Sequence, residues 1–275
     1  MANIAIMGTG MVGGALNRYF LTQNIQPALY DPPKGLVDTQ VLASADVIFI
    51  AVPTPYYLDG SGFDDSFLQS AIKAIPVEGK TIVIKSTILP GTTERLQEQY
   101  PQHRFLFNPE FLAELTVDQD MRFPSRQIVG YTEQGKVDAE TVMSLLPRAP
   151  LERILPVRVA ETAKYYGNAF LALKVAFSNQ FYDLCQKIGV DYDTVKECAK
   201  GDPRVGTSHM DVFHNGFRGY GGKCFPKDVR SVIQLGKKLD AAFTILEAAE
   251  IYNNTLVEQQ GLDIKWEEGS PRKEK

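Results

Sequence analysis

The sequence predicts an α/β chain, a doubly wound parallel sheet followed by a smaller all-helical domain with one long helix. Three observations predict it. Short, near-continuous apolar runs alternate with helical segments over the first 150 or so residues, the pattern of strands buried on both faces of a parallel sheet. A glycine-rich turn joins the first run to the first helix. Beyond about residue 158 the pattern turns to apolar residues at threes and fours with no further strand signal.

The first run is Asn3-Ile-Ala-Ile-Met-Gly8, and the turn is Gly8-Thr-Gly10-Met11-Val12-Gly13, leading into an amphipathic stretch from Ala15 to Leu21. A second strand, Ala28-Leu-Tyr30, ends at Asp31. Strand, GxGxxG turn, helix, then an acid about twenty residues on is the arrangement that holds a dinucleotide. The glycines let a pyrophosphate reach the backbone, and the helix N-terminus supplies unpaired N–H groups and partial positive charge. An acid at position 31 accepts ribose hydroxyls and repels a 2′-phosphate, so NAD is expected rather than NADP.

Asp46-Val-Ile-Phe-Ile-Ala-Val52, Lys80-Thr-Ile-Val-Ile-Lys85 and Arg104-Phe-Leu-Phe107 read as further buried strands. Each ends in a loop of distinctive composition: Val52-Pro53-Thr54-Pro55, then Ser86-Thr87-Ile-Leu-Pro90-Gly91, then Asn108-Pro109-Glu110. Ligands of open α/β sheets bind outside the carboxyl ends of the strands, so these loops are expected to line the site. Gln127–Gly130 and Glu152–Leu155, with a helix between, close the first domain. The organisation expected is a dinucleotide-binding domain at 1–158, a helical domain at 159–262 and a polar tail at 263–275.

The helical domain opens with a long helix from about Ala160 to Ile188. Ala163, Tyr166, Phe170, Leu173, Phe177, Phe181, Leu184 and Ile188 fall on one stripe of it, which is expected to be core. Shorter helices are expected at Tyr192–Ala199, Val229–Leu239 and Ala241–Gln260. A loop from Gly201 to Lys223 leads to Gly219-Tyr220-Gly221-Gly222-Lys223-Cys224-Phe-Pro-Lys227-Asp228. Here a thiol lies in a turn that a ligand can approach closely, between two lysines that favour its anion. Cys185 and Cys198 lie in helical patterns without such neighbours and read as small core hydrophobes.

Thirty-three acidic against twenty-nine basic residues, a net charge of −4 without a basic stripe, argue against nucleic acid and against an anionic membrane as partners. Three cysteines without framework spacing fit a reducing cytoplasm. The apolar N-terminus has no basic lead and is interrupted by glycines, so it reads as part of the folded protein. His103, His209 and His214 have no metal-ligand spacing and read as loop or surface residues, and no metal is expected.

Together GTGMVG, VPTP with Asp59-Gly60 and Asp64, STILPGTTE, NPEFLAE, ETAKYYGNAFLALKVAFSN, DPRVG and GGKCFPKDV, in this order over most of residues 1–255, resemble the UDP-glucose/GDP-mannose 6-dehydrogenase family. The resemblance implies oxidation of a sugar C6 alcohol to a carboxylate, with two hydrides passed to NAD and a cysteine carrying the aldehyde as a thiohemiacetal and then a thioester. It implies Cys224 as nucleophile, Lys164 as stabiliser of the alkoxide, and Asn168, one helical turn on, as a second holder of that oxygen. Asp228 would orient water or take a proton, Glu110 would act as acid or base, and Thr87 would position the water. Gly8, Gly10, Met11, Val12, Gly13, Asp31, Val52, Pro53, Thr54, Thr87 and Lys227 would line the cofactor. Phe111, Leu112, Glu114, Lys164, Asn168, Arg204, Tyr220 and Gly221 would hold the nucleotide sugar. A homodimer through the long helix is expected. Plainer readings stand beside these: Asp228 as the N-cap of a helix starting at Val229, Glu110 as the cap of a helix after Pro109, and Lys164 as a solvated helix lysine.

Family members continue past the long helix near Gln260 into a third domain that reads the nucleotide. Those contacts fall here to a separate chain, to the first two domains with a symmetry mate, or to nothing, in a silent binding remnant. The loop from Arg204 to Cys224 is also a few residues longer than usual, which loosens the assignment of Arg204. A single-hydride dehydrogenase of the 3-hydroxyacid or 6-phosphogluconate type is the alternative enzyme, since it shares the two-domain plan and needs no thiol.

Overall fold

The computed structural model describes residues 2–214 and 216–263. The expected polar tail lies almost wholly outside the described residues. The chain folds as two compact units, one of Met1–Thr54 and Asp64–Lys164, the other of Pro55–Phe63 and Tyr165–Lys275.

In the first unit the chain runs β1 (Ile4–Met7), α1 (Met11–Thr22), β2 (Ala28–Tyr30), α2 (Gln40–Ser44) and β3 (Val47–Ile50). A hairpin of β4 (Tyr56–Tyr57) and β5 (Gly62–Phe63) then leaves for the second unit. The first unit resumes with α3 (Ser66–Lys73), β6 (Thr81–Ile84), α4 (Thr92–Gln99), β7 (Arg104–Phe107), α5 (Val117–Arg122), β8 (Arg126–Tyr131), α6 (Ala139–Leu145) and β9 (Leu151–Pro156). Seven strands form one sheet in the order β2-β1-β3-β6-β7-β8-β9. Every residue of β1, β3 and β6 is buried, which is why these strands read as unbroken apolar runs rather than alternating ones. Phe20 of α1 packs on Phe49 of β3 with ring centroids 5.7 Å apart, within the larger core that covers one face.

The sheet departs from the expected parallel pattern at one pair. β7 and β8 are antiparallel, Phe107 opposite Gly130, whereas every other neighbouring pair is parallel. The connection between β7 and β8 contains only the short α5, and β8 starts from the end at which β7 stops. Residues 109–116 are likewise not helical, and α5 begins only at Val117.

α7 (Val157–Ile188) follows β9 directly and runs 32 residues. Its first turns belong to the first unit, where Glu161, with no exposed surface, accepts hydrogen bonds from Gly91 N, Thr93 N and Thr93 Oγ1 at 2.6, 2.9 and 2.6 Å. These are donors at the start of α4, where a helix leaves N–H groups without partners. A side chain from another helix thus caps α4.

The second unit holds the rest of α7, then α8 (Tyr192–Lys200), a hairpin of β10 (Phe213–His214) and β11 (Phe217–Arg218), α9 (Phe225–Lys238) and α10 (Thr244–Glu258). The aromatic stripe of α7 is not core in this chain: Tyr166, Phe170, Phe177, Phe181, Leu184 and Ile188 are all exposed, from 41 to 75%. Buried instead are Ala169, Ala172, Val175, Ala176 and Cys185. The helix carries two apolar faces, and the chain covers the one that holds Tyr165, itself buried, with mostly small residues after it. Cys185 is buried as expected, but Cys198 is exposed rather than core, lying on an open side of α8. His103 lies in a loop, as expected, yet is only 3% exposed, with its ring edge-on to Phe105. Among the described residues no helix is long and apolar enough to cross a membrane.

Replacing Glu161 with Ala strands three donors in a buried place. We expect a loss of about 3 kcal/mol in urea unfolding, at roughly 1 kcal/mol or more for each stranded donor. Glu161→Gln, which keeps one acceptor oxygen, should lose less than half of that.

Candidate active site

In the first unit, the turn after β1 is closed by sterics. A β-carbon on Gly13 would lie 1.9 Å from the Gly8 carbonyl oxygen, and one on Gly8, whose φ is +83°, would lie 2.6 Å from the Ala51 carbonyl oxygen. At Gly10 nothing stands within 4 Å of that position. Gly10 caps α1 without a side-chain bond, and the first turn of α1 has no acidic residue. This leaves backbone N–H groups facing open space without a competing anion, the donor set that a pyrophosphate needs. At the end of β2, Asp31 Oδ2 accepts from Thr9 N at 2.8 Å and Thr9 Oγ1 at 2.6 Å. Burial would raise this carboxyl, but the two Thr9 bonds and the Lys34 ammonium at 3.7 Å outweigh it and hold it below the usual range. The acid is fixed and ionised, as a ribose acceptor has to be.

Around these strand ends, Thr54 Oγ1 donates to Thr87 O at 2.7 Å and Ser86 Oγ to Val52 O at 2.7 Å, which ties the loops after β3 and β6 together. Behind them lies a buried ionic cluster. Lys164, 3% exposed, donates to Glu110 Oε1 at 2.8 Å and to Glu110 O at 2.7 Å. Glu110 Oε2 accepts from Leu112 N at 2.9 Å. Lys164 is therefore no solvated helix lysine, and Glu110 caps no helix; it closes a turn and meets a cation. Burial pushes the Glu110 carboxyl up, but Lys164, the Leu112 N–H and Lys85 together carry it below the usual range. An ionised carboxylate at neutral pH can take a proton or orient water, and it does not begin as a donor. Phe111 stacks under the Arg126 guanidinium at 3.8 Å, with the Lys164 ammonium 5.6 Å from its ring. Leu112 packs against the core, while Glu114 is exposed.

Lys85 was missed by reading the sequence. It is 4% exposed, and its ammonium donates to Asn108 Oδ1 at 2.5 Å. Asn108 in turn donates to Gln127 Oε1 at 2.8 Å and to Ile128 O at 2.7 Å. Burial first, and repulsion from Lys164 second, lower the Lys85 ammonium to about 8, with Glu110 opposing them. The available signal was a lysine ending a wholly apolar strand just before a site loop.

In the second unit, α9 starts at Phe225, four residues ahead of expectation, because Pro226 with its fixed φ fits a first turn. Cys224 is thus the N-cap residue, at the end of the helix where partial positive charge favours an anion, and it is partly exposed. Asp228 lies in the first turn rather than at the cap, and is 1% exposed. Its Oδ2 accepts from Asn168 Nδ2 and its Oδ1 from Lys227 Nζ, both at 2.6 Å. The Lys227 charge is accordingly shared with Asp228 rather than offered wholly to the thiol. Asn253, 1% exposed, clamps the glycine turn, accepting from Tyr220 N at 2.7 Å and donating to Tyr220 O at 3.0 Å. The Tyr220 ring is buried and its hydroxyl donates to Glu250 at 3.1 Å, so of this residue only the backbone faces the turn. Gly221 is partly exposed beside it. Arg204 is exposed and paired with Asp202 at 2.6 Å. His209 packs on Phe225 at 5.6 Å between ring centroids.

The family models agree with this layout. One described as the UDP-glucose/GDP-mannose dehydrogenase family, NAD binding domain, matches residues 36–146, and the central domain of the same family matches residues 158–255. The chain belongs to the UDP-glucose/GDP-mannose dehydrogenase family. The glycine turn and Asp31 precede the first matched span, and their geometry speaks for them independently. NAD is the cofactor of that domain, and the start of α1, with no side-chain cap and no acid in its first turn, together with the fixed Asp31, fits it. The chain is 38% identical over 231 residues to a UDP-glucose 6-dehydrogenase of Pseudomonas aeruginosa, covering 77% of this chain and 49% of the other. It is 31% identical over 237 residues to one of Rhizobium meliloti, covering 81% and 53%. The fold superposes on a UDP-glucose dehydrogenase of Pyrobaculum islandicum with a TM-score of 0.81 at 27% identity, over 94% of this chain and 71% of that one. This member of the family spans about half the length of the curated relatives it matches.

Asp31→Asn removes the carboxylate charge at the end of β2 while keeping its shape. Isothermal titration should show NAD binding weakened about tenfold, the loss of one charge-assisted hydrogen bond, with the preference over NADP narrowed.

Proposed function

We propose that the protein is an NAD-dependent nucleotide-sugar 6-dehydrogenase, with UDP-glucose the first substrate to test, oxidising a C6 alcohol to a carboxylate in two steps. The observation that carries the reading is the buried Lys164–Glu110 pair in a family member that also places a cysteine at the start of a helix. Lys164 is buried on α7 with a fixed ammonium beside the loop after β7, a donor that can hold an oxygen as it becomes negative.

NAD, when bound, accepts one hydride in each oxidation. The chain's own groups do the rest. Lys164 and Asn168 hold the C6 oxygen as its proton leaves, giving the aldehyde. The Cys224 sulfur bonds to the aldehyde carbon, and the oxygen gains a proton to form a thiohemiacetal. Loss of the second hydride and of that proton leaves a thioester. Water, positioned by Thr87 and Glu110, attacks it, with Glu110 or Asp228 taking the proton. The C–S bond breaks, the thiol is restored and the carboxylate departs. Phe111, Leu112, Glu114, Tyr220 and Gly221 contribute mainly backbone groups to the sugar and its phosphates, and Lys227 with the Val52–Thr54 loop lines the cofactor.

The exposed stripe of α7 supports a homodimer. Tyr166 and Phe170 stack at 6.4 Å and Phe177 and Phe181 at 4.7 Å between centroids on a helix face left open to water. An apolar row of this kind marks a protein interface, and a second copy of the same helix fits it by symmetry. Sedimentation should show a dimer at micromolar concentration. Phe170→Asp with Phe177→Asp should give a folded monomer, and a wild-type monomer would remove this part of the proposal.

A panel of UDP- and GDP-sugars tests the activity. Two NADH per sugar, near-total loss of acid in Cys224→Ser, and a fall in kcat of about a hundredfold or more in Lys164→Ala are expected. One NADH per substrate with an active Cys224→Ser would mean a single-hydride dehydrogenase instead. Binding of NAD and sugar with no turnover would mean a silent binding protein.

A further inference from the structure

Three ionisable side chains lie buried together in the first unit: Lys85 at the end of β6, Glu110 after β7 and Lys164 on α7. When all are ionised, two positive charges face one negative. Lys164 gives one hydrogen bond to the Glu110 carboxylate and another to its carbonyl. Taken alone, that ion pair is neutral, and an oxygen losing its proton beside it would meet no net charge. Lys85 changes the balance. Its ammonium is oriented by Asn108, which is itself held by Gln127 and the Ile128 carbonyl, all uncharged. β6 pairs with β7, Ile84 opposite Phe107, and the Lys85 ammonium bonds to Asn108, two residues ahead of Glu110. The Lys85 charge therefore lies in the same buried corner as the Glu110–Lys164 pair, where Glu110 attracts it and Lys164 repels it.

We infer that Lys85 is a positioning residue of the site: its ammonium is the second counter-charge of Glu110, and it leaves Lys164 with charge to spend on an oxyanion. A buried surplus cation is unfavourable unless an anion completes it, so the cluster favours the state in which substrate oxygen turns negative. Lys85 touches neither substrate nor cofactor in this role. It acts through Glu110 and Lys164, and this part rests on the dehydrogenase reading, whereas the coupling of Lys85 to Glu110 does not.

The two are tested apart. In protein carrying ¹³C-carboxyl glutamate, with the Glu110 signal assigned by its loss in Glu110→Gln, the Glu110 midpoint is followed by NMR in wild type, Lys85→Met, Lys85→Gln and Lys85→Arg. Removing a nearby cation raises a carboxylate midpoint, here by about one pH unit because Lys164 remains. Met and Gln should both show the rise; Gln keeps a donor for Asn108, so it serves even where Met fails to fold. Arg should stay within a few tenths of wild type. The acid limb of kcat should move up with the midpoint, with kcat at neutral pH down about tenfold and the KM for NAD within twofold. An unmoved Glu110 midpoint in a folded Lys85→Met or Lys85→Gln protein overturns the inference and leaves Lys85 as a hydrogen-bond donor to Asn108 alone. A moved midpoint with an unmoved kcat limb overturns the positioning role. A wild type that turns over none of the sugars while the midpoint still moves keeps the counter-charge and sinks the dehydrogenase reading alone.

Discussion

A lysine cannot be buried unpaired, and Lys164 is buried. The free energy of removing an ammonium from water is large enough that everything near it must be arranged to meet it. Glu110 meets it twice, by carboxylate and by carbonyl, and can do so only because the chain after Pro109 turns back, Leu112 N–H closing the turn on the second carboxylate oxygen. One turn earlier on the same helix, Glu161 is bonded to the start of α4. The start of α7 is therefore pinned to the loops after β6 and β7.

The two ends of the candidate site use electrostatics differently. At the start of α1 the charge is carried by backbone dipoles, with no acidic side chain in the first turn. A pyrophosphate has the same charge before and after reaction, so fixed dipoles suffice and no proton need move. At the ends of β6 and β7 charge sits on Lys85, Glu110 and Lys164, all nearly or wholly buried. Those are groups whose protonation can change.

Much of this was legible in the sequence, for reasons that can be named. Strands buried on both faces announce themselves as apolar runs, and a glycine turn at the end of one is constrained by contacts as short as the one a side chain at Gly13 would make. Local chemistry was less legible where it depends on partners far along the chain. Lys85 needs Asn108, and Glu161 needs Gly91 and Thr93, separated by 23 and about 70 residues respectively. A periodicity rule places a lysine at the end of a strand outside the core; here a buried amide holds it in. The α9 boundary is missed for a nearer reason: Pro226 suits a first turn, so the helix begins at Phe225, ahead of the Asp228 that resembles an N-cap in the sequence.

The α7 stripe shows a different limit. Apolar periodicity measures which face of a helix avoids water and is silent on what covers it. α7 has a row of large aromatics on one face and alanine, valine and Tyr165 on another, and intuition sends the more aromatic face inward because it buries more area. The chain covers the other face, where small side chains let backbones approach closely and Tyr165 fills the space at the start. Sequence alone carries both faces with equal weight, and only the fold of the rest of the chain decides between them.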